Sequence, residues 1–150
     1  MLATAGITAP MLERTRGFSE PAAPPWIAPS GDGGGPRGGV ALAALAGMPF
    51  STRFCSWTGL SGRRYVFSVY PASSCPAFCN AVLLAAARDG LGPRRVVSAR
   101  LTGAFPEPVV ARAQRELRGF GPNLEFHLHL LPSEPTDRAA AIADLAIAPR

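Results

Sequence analysis

The first 48 residues set the limit on what this chain can fold into. They hold nine glycines, six prolines and only two aromatics, with PAAPP and GDGGGPRGG between short apolar patches. A segment so poor in large apolar side chains cannot bury enough surface to offset its ordering entropy. We expect residues 1–48 to be a disordered arm, with at most a frayed helical turn in VALAALAG, and residues 49–150 to form one domain. A chain of 150 residues suits that division.

Charge follows the same boundary. The arm carries three arginines against three acids, so the net charge of +5 belongs to residues 49–150, with twelve arginines against seven acids. A basic domain suggests a polyanionic partner. All fifteen basic residues are arginine, however, and together with abundant Ala, Gly and Pro this is also what a GC-rich coding sequence yields without selection for charge. No apolar run approaches the ~20 residues of a membrane helix. The N-terminal MLATAGITAPMLERTRG is broken by Pro10, Glu13, Arg14 and Arg16 and does not read as a secretory leader. These readings place the protein in the cytoplasm, without a membrane partner and with its three cysteines reduced.

Beyond Phe50 the patterning sharpens. TRFCSWTGLSGRRYVFSVYP gives two short stretches around GLSG, and NAVLLAAARDGLGPRRVVSARL repeats the arrangement around RDGLGP. Both read as β-hairpins, although AVLLAAA also fits a buried helix. FPEPVVARAQRELRGFG has Pro and Glu in its first turn, an apolar face of Val109, Val110, Ala113 and Leu117, and closing glycines, the marks of a helix. NLEFHLHLLP alternates strictly, turning Phe126, Leu128 and Leu130 one way and Glu125, His127 and His129 the other. SEPTDRAAAIADLAIA reads as a last helix, with Ser133 as its cap and Ala139, Ile142 and Leu145 facing inward. The expected fold is α+β in the order ββββαβα: a small, mainly antiparallel sheet of two hairpins plus one strand, with two packed helices.

From Ser61 onward SGRRYVFSVYP, AVLLAAARDG, SARLTGAFPEP, NLEFHLHLLPSE and AIADL follow one another at the intervals of a known frame. Over about two-thirds of the chain the sequence resembles the GIY-YIG nuclease-like domains. The resemblance implies phosphodiester cleavage by two strand tyrosines, a helix arginine and a metal-binding glutamate. Carried over residue by residue, each role is missing. The first motif falls on Ala81, Val82 and Leu83, and the second on Ser98, Ala99 and Arg100; the helix arginine falls on Pro108 and the glutamate on Ile142. The resemblance therefore implies a degenerate, catalytically inactive relative with no catalytic residues.

Other constellations are thinner. Cys55, Cys75 and Cys79 with His127 and His129 have zinc-binding chemistry, but CPAFC has no second pair at a zinc-finger interval, so no metal is expected. The histidines read as ordinary surface residues of a half-exposed strand, and Glu125 shares their face without completing a triad. GDGGGPRGG is not a phosphate loop, because the chain has no lysine to follow it, and it reads as a flexible linker. No cofactor is expected. Arg94, Arg95, Arg100, Arg112 and Arg115 crowd the strand-to-helix corner and are the candidate nucleic-acid-binding residues. The leading functional reading is a non-enzymatic module for a protein partner or, weakly, nucleic acid. The alternatives are an enzyme of other phosphate chemistry using Arg100, Arg112 and the histidines, or an unselected reading frame. The coexistence of clean helical and strand periods speaks against the last.

Overall fold

The computed structural model describes residues 36–146, so residues 1–35 of the expected arm lie outside the described residues. Turn chemistry and alternation produce the hairpins where the sequence places them. Phe54–Thr58 (β2) pairs antiparallel with Arg64–Pro71 (β3), and Val82–Arg88 (β4) pairs antiparallel with Arg94–Leu101 (β5). The helices α1, Pro106–Glu116, and α2, Pro135–Leu145, both start at a proline, whose fixed φ suits the first turn. The cap of α2 is Glu134, without a side-chain hydrogen bond, in place of the expected Ser133. The last strand is Leu124–His129 (β6).

Two features depart from expectation. Arg37–Ala41 forms an edge strand, β1, which makes the order βββββαβα in place of ββββαβα. The sheet order is β1-β2-β3-β6-β4-β5 with every pairing antiparallel, so β6, late in the sequence, lies between the two hairpins. It pairs with Ser68–Pro71 of β3 and with Val82–Ala87 of β4. That central place buries both of its faces, and His127 and His129 are buried in place of the surface position expected of them.

The sheet curls until its outer strands meet: the guanidinium of Arg94 at the start of β5 donates to the carbonyl of Gly39 in β1. Gly39 has φ +67, and a Cβ there would lie 2.8 Å from the Arg94 side chain and 3.0 Å from the Trp57 ring. The last glycines of GDGGGPRGG are thus required by a close approach, where the sequence suggested only a flexible linker.

Each face of the sheet has its own core. Cys55, Trp57, Phe67, Leu84 and Val96 line the inner face of the curl, closed by Ala141 and Leu145 of α2. Leu83, Ala85, Val97, Phe126 and Leu128 line the other, closed by Val110 and Ala113 of α1. All of β4 but its last residue is buried, which is why AVLLAAA shows no alternation. The inward stripe of α2 is Ala141, Ile142 and Leu145; Ala139, expected in it, is exposed.

Candidate functional site

The inner face contains a connected polar network that links four strands. The Trp57 indole N–H donates to His127 Nδ1 at 2.9 Å, and the Cys55 sulfur lies 3.2 Å from the same nitrogen. An indole nitrogen can only donate, so Nδ1 carries the lone pair and the ring proton sits on Nε2. From there it is donated to Glu125, 3.2 Å away. Arg94 completes the chain by gripping both oxygens of Glu125.

Thiol, imidazole and carboxylate in this order resemble the connectivity of a cysteine hydrolase. The chemistry opposes that use. The lone pair that would take the thiol proton already accepts from Trp57, and both Cys55 and His127 have zero exposure. Burial pushes the Cys55 thiol up to about 12, far from a thiolate nucleophile. Burial likewise holds His127 below the ordinary histidine value despite its bond to Glu125. Glu125 goes the other way: hydrogen bonds from His127 and then Arg94, opposed by burial, bring its carboxyl down to about 2. The ground state is a neutral imidazole beside an Arg94–Glu125 ion pair, an arrangement that holds strands together.

Two other polar residues fix loops. Asp144 near the end of α2 accepts from the Ser61 amide and hydroxyl and from the Tyr65 hydroxyl, at 2.6, 2.7 and 2.8 Å, and latches the β2–β3 turn onto the helix. Gly59 is the counterpart of this latch, because a Cβ there would lie 2.1 Å from the Asp144 carboxylate. Thr102, buried where β5 turns toward α1, accepts from the Ala81 amide and donates to the Phe78 carbonyl. No motif marks these two residues in the sequence; their partners lie 21 to 83 positions away.

The candidate arginines divide between the two faces of the sheet, by alternation and by a β-bulge at Val97. Arg94 points into the curl, while Arg95 and Arg100 belong to the α1 side with Arg112 and Arg115. Arg95 meets Asp89 at 3.3 Å and lies 5.4 Å over the Phe120 ring. Arg100 and Arg112 share Glu116, each at 2.6 Å, and their hydrogen bonds hold its carboxyl below the usual value. Arg115 is exposed and forms no salt bridge among the described residues. Leu83 and Ser98, at the two motif-tyrosine positions, are buried beneath α1.

No cluster of three or more His, Cys, Asp or Glu side chains suited to a metal ion occurs among the described residues. No helix among them is long and apolar enough to cross a membrane. Comparison of the chain with protein-family models, curated proteins and solved structures gives no match.

Proposed function

We propose that this chain is a non-enzymatic binding domain that holds nucleic acid weakly, through phosphate contacts, on its α1 side. The observation that carries the reading is a charge imbalance. Arg95, Arg100, Arg112, Arg115 and Arg118 lie on or beside α1, against Asp89, Glu107 and Glu116. Guanidinium groups bind phosphate oxygens in a fork geometry, and a surface of this kind positions a phosphate backbone without reading its bases. The likeness to a degenerate GIY-YIG-like domain belongs to the same proposal. Its support is the sequence order of motif hairpin and helix, and the burial of Leu83 and Ser98 leaves nothing at those positions for a substrate to meet.

The test is fluorescence anisotropy of a labelled DNA duplex titrated with the full chain across a salt series. Micromolar binding at low salt, falling linearly on a log–log plot, is the expected result, and the slope counts the phosphates neutralised. Absence of binding at low salt rejects the reading. A second reading, docking of a protein partner, is favoured by an apolar patch at the same corner, where Phe105 is 77% exposed beside Phe78 and Leu101. The Asn80 amide bonds the Gly103 carbonyl there, holding the two segments together. A photo-crosslinker on exposed Cys79 tests it by capturing a partner that Phe105→Asp then loses.

A further inference from the structure

The helix α1 closes only part of its side of the sheet. The core beneath it draws strand residues from β4, β5 and β6, and none from β1 or β2. Alternation carries the same side on across the sheet: Cys55, Trp57, Tyr65 and Phe67 point into the curl, so Phe54 and Ser56 of β2 and Val66 and Ser68 of β3 point out. Val40, opposite Ser56 on β1, is 64% exposed, and Val66 is 37% exposed. Where β3 runs on past the start of β2, the face ends in a notch of about 410 Å³, lined by Phe50, Arg53, Phe54 and Tyr70, among others. The rings of Phe50 and Phe54 meet edge to face there, 6.5 Å apart.

This half of the sheet carries one sign of charge. From Arg37 to Arg88 the chain has five arginines and no acid. Arg37 and Arg64 both sit opposite Thr58, on one row of the face, and Arg53 lines the notch. None of these three forms a salt bridge among the described residues. An exposed apolar face edged by arginine fits an occupant that is both apolar and acidic. The chain itself has one close by. Residues 17–35 contain Phe18, Trp26 and Ile27, carry Glu20 and Asp32, and have no arginine.

We propose that this face is the docking site of residues 18–32 of the same chain, with Trp26 at the Phe50–Tyr70 notch. The attachment sets the route. Pro36 leads into β1 at the row of Arg37 and Thr58, the end of the face remote from the notch. Trp26 lies ten positions before Pro36. Ten residues span at most ~36 Å, and the face from Arg64 to Tyr70 measures about 20 Å, so the segment reaches the notch by crossing Val66. Six of those positions are SGDGGG, whose glycines let the backbone turn back over the sheet. The prolines of PAAPP restrict the segment before it docks, and proline-rich segments suit aromatic-lined grooves. Too poor in apolar residues for a core of its own, the segment borrows one already formed. Single-stranded nucleic acid shares this liking for arginine and aromatic rings, but a tethered segment competes at an effective concentration in the millimolar range. The face lies beyond α1, and failure of this inference leaves the DNA-binding reading untouched.

The chain has two tryptophans, and Trp57 has zero exposure, so acrylamide quenching of the full chain reports on Trp26 with a sealed residue as its control. Trp26 is expected to be quenched several-fold less than a free indole. Val66→Glu sets a carboxylate in the path of Glu20 and Asp32 and is expected to return Trp26 to the free value, while Trp57 stays protected and shows the fold intact. Trp26→Ala, a change outside the described strands and helices, is expected to shift the NMR methyl signals of Val40 and Val66 and to leave Val110 of α1 unmoved. A freely quenched Trp26 in the parent chain, or protection that survives Val66→Glu, overturns the proposal. Protection that grows with protein concentration overturns it in favour of a second copy. Val40 and Val66 signals that ignore Trp26→Ala but respond to a single-stranded oligonucleotide overturn it in favour of nucleic acid.

Discussion

The two faces of this sheet solve the same problem with opposite chemistry. On the α2 side the core contains an imidazole, a thiol, an indole N–H and an ion pair, connected through His127 and Glu125. On the α1 side the core contains alanine, leucine, valine and phenylalanine, and the charged groups sit at its rim, where a largely covered Arg100 and an exposed Arg112 share Glu116. The difference follows from how each face is closed. A helix laid across a sheet seals it by apolar contact alone, and that needs only small residues such as Ala85 and Ala113 at the interface. A sheet curled on itself must also align strands remote in sequence, and directional hydrogen bonds hold such a register better than non-directional packing. The α2 side is therefore where polar substitutions should be felt most and the α1 side where they should be felt less.

The same change on the two faces gives the largest test. Glu125→Ala leaves the guanidinium of Arg94 without its carboxylate and His127 Nε2 without its acceptor. Breaking a buried ion pair from one side costs about 3–5 kcal/mol. Because the Glu125 side chain keeps 26% exposure, we expect about 2–3 kcal/mol, read as a lowered urea midpoint at unchanged m. Glu116→Ala breaks two hydrogen-bonded pairs of similar length; Arg112, at 58% side-chain exposure, reaches water while Arg100, at 13%, does not, but no buried imidazole depends on Glu116 as His127 does on Glu125, and the midpoint is expected to shift less. Equal losses in the two variants would erase the distinction between the faces.

Gly39→Ala probes the closure itself and should rank close behind. It places a Cβ against Arg94 and Trp57 at a residue with φ +67. Strain of this kind costs about 1–3 kcal/mol. The variant should lose protection from hydrogen exchange first in β1 and at the start of β5, while the amides of α1 keep theirs.

What could be read from the sequence divides along the same line. Local patterns were enough for both hairpins, for α1 and for the alternation of β6, because turn residues and apolar spacing are short-range signals. The α2-side network was not legible. Cys55 and His127 are 72 positions apart, and nothing in FCSWT or EFHLH announces that they touch. The histidines looked like surface residues because strict alternation implies one wet face, and only the late insertion of β6 between the hairpins buries both. The arginine cluster looked like one patch because sequence proximity hides strand parity, which sends Arg94 inward and Arg95 outward. A β-bulge, with register shifting between Ala85 and Ala86, then makes Val97 an extra residue and reverses the parity beyond it, so that Arg100, six positions from Arg94, lies on the opposite face. β1 was hidden by its glycines, whose role depends on Trp57 and Arg94 and not on their neighbours.

The pH dependence of stability sharpens the comparison further. His127 has a folded pKa below its ordinary value of 6.5, so the unfolded chain binds the proton more readily. Stability is then fully present above about pH 6.5 and declines as pH falls below it. Glu125 adds a second decline between 4.5 and about 2, because its depressed folded pKa makes the ionised form the stabilising one. Cys55 acts at the alkaline end. Its folded pKa of about 12 against 9.0 means a contribution present below 9.0 and lost as pH rises toward 12. Urea midpoints across pH should trace this dome, and Cys55→Ala should flatten its alkaline side. An alkaline limb that Cys55→Ala leaves unchanged would show that the network does not govern the dome.

The smallest effect separates charge that binds from charge that builds. If nucleic acid lies on the α1 side, Arg115→Gln removes one phosphate contact from an exposed residue that no described residue pairs with, and the salt slope should fall by about one unit. The fold should be unaffected, since the side chain supports nothing in either core. Arg94→Gln removes the same formal charge from a residue that points into the curl, with 14% side-chain exposure. Its cost should appear in the urea midpoint, while the slope measured on the remaining folded protein stays that of the parent chain. Counterion release counts phosphates neutralised and not net charge, so the two variants must diverge if the contacts are local. Should both lower the slope equally, the protein attracts DNA through its overall charge of +5, and the arginines beside α1 have no special place in that attraction.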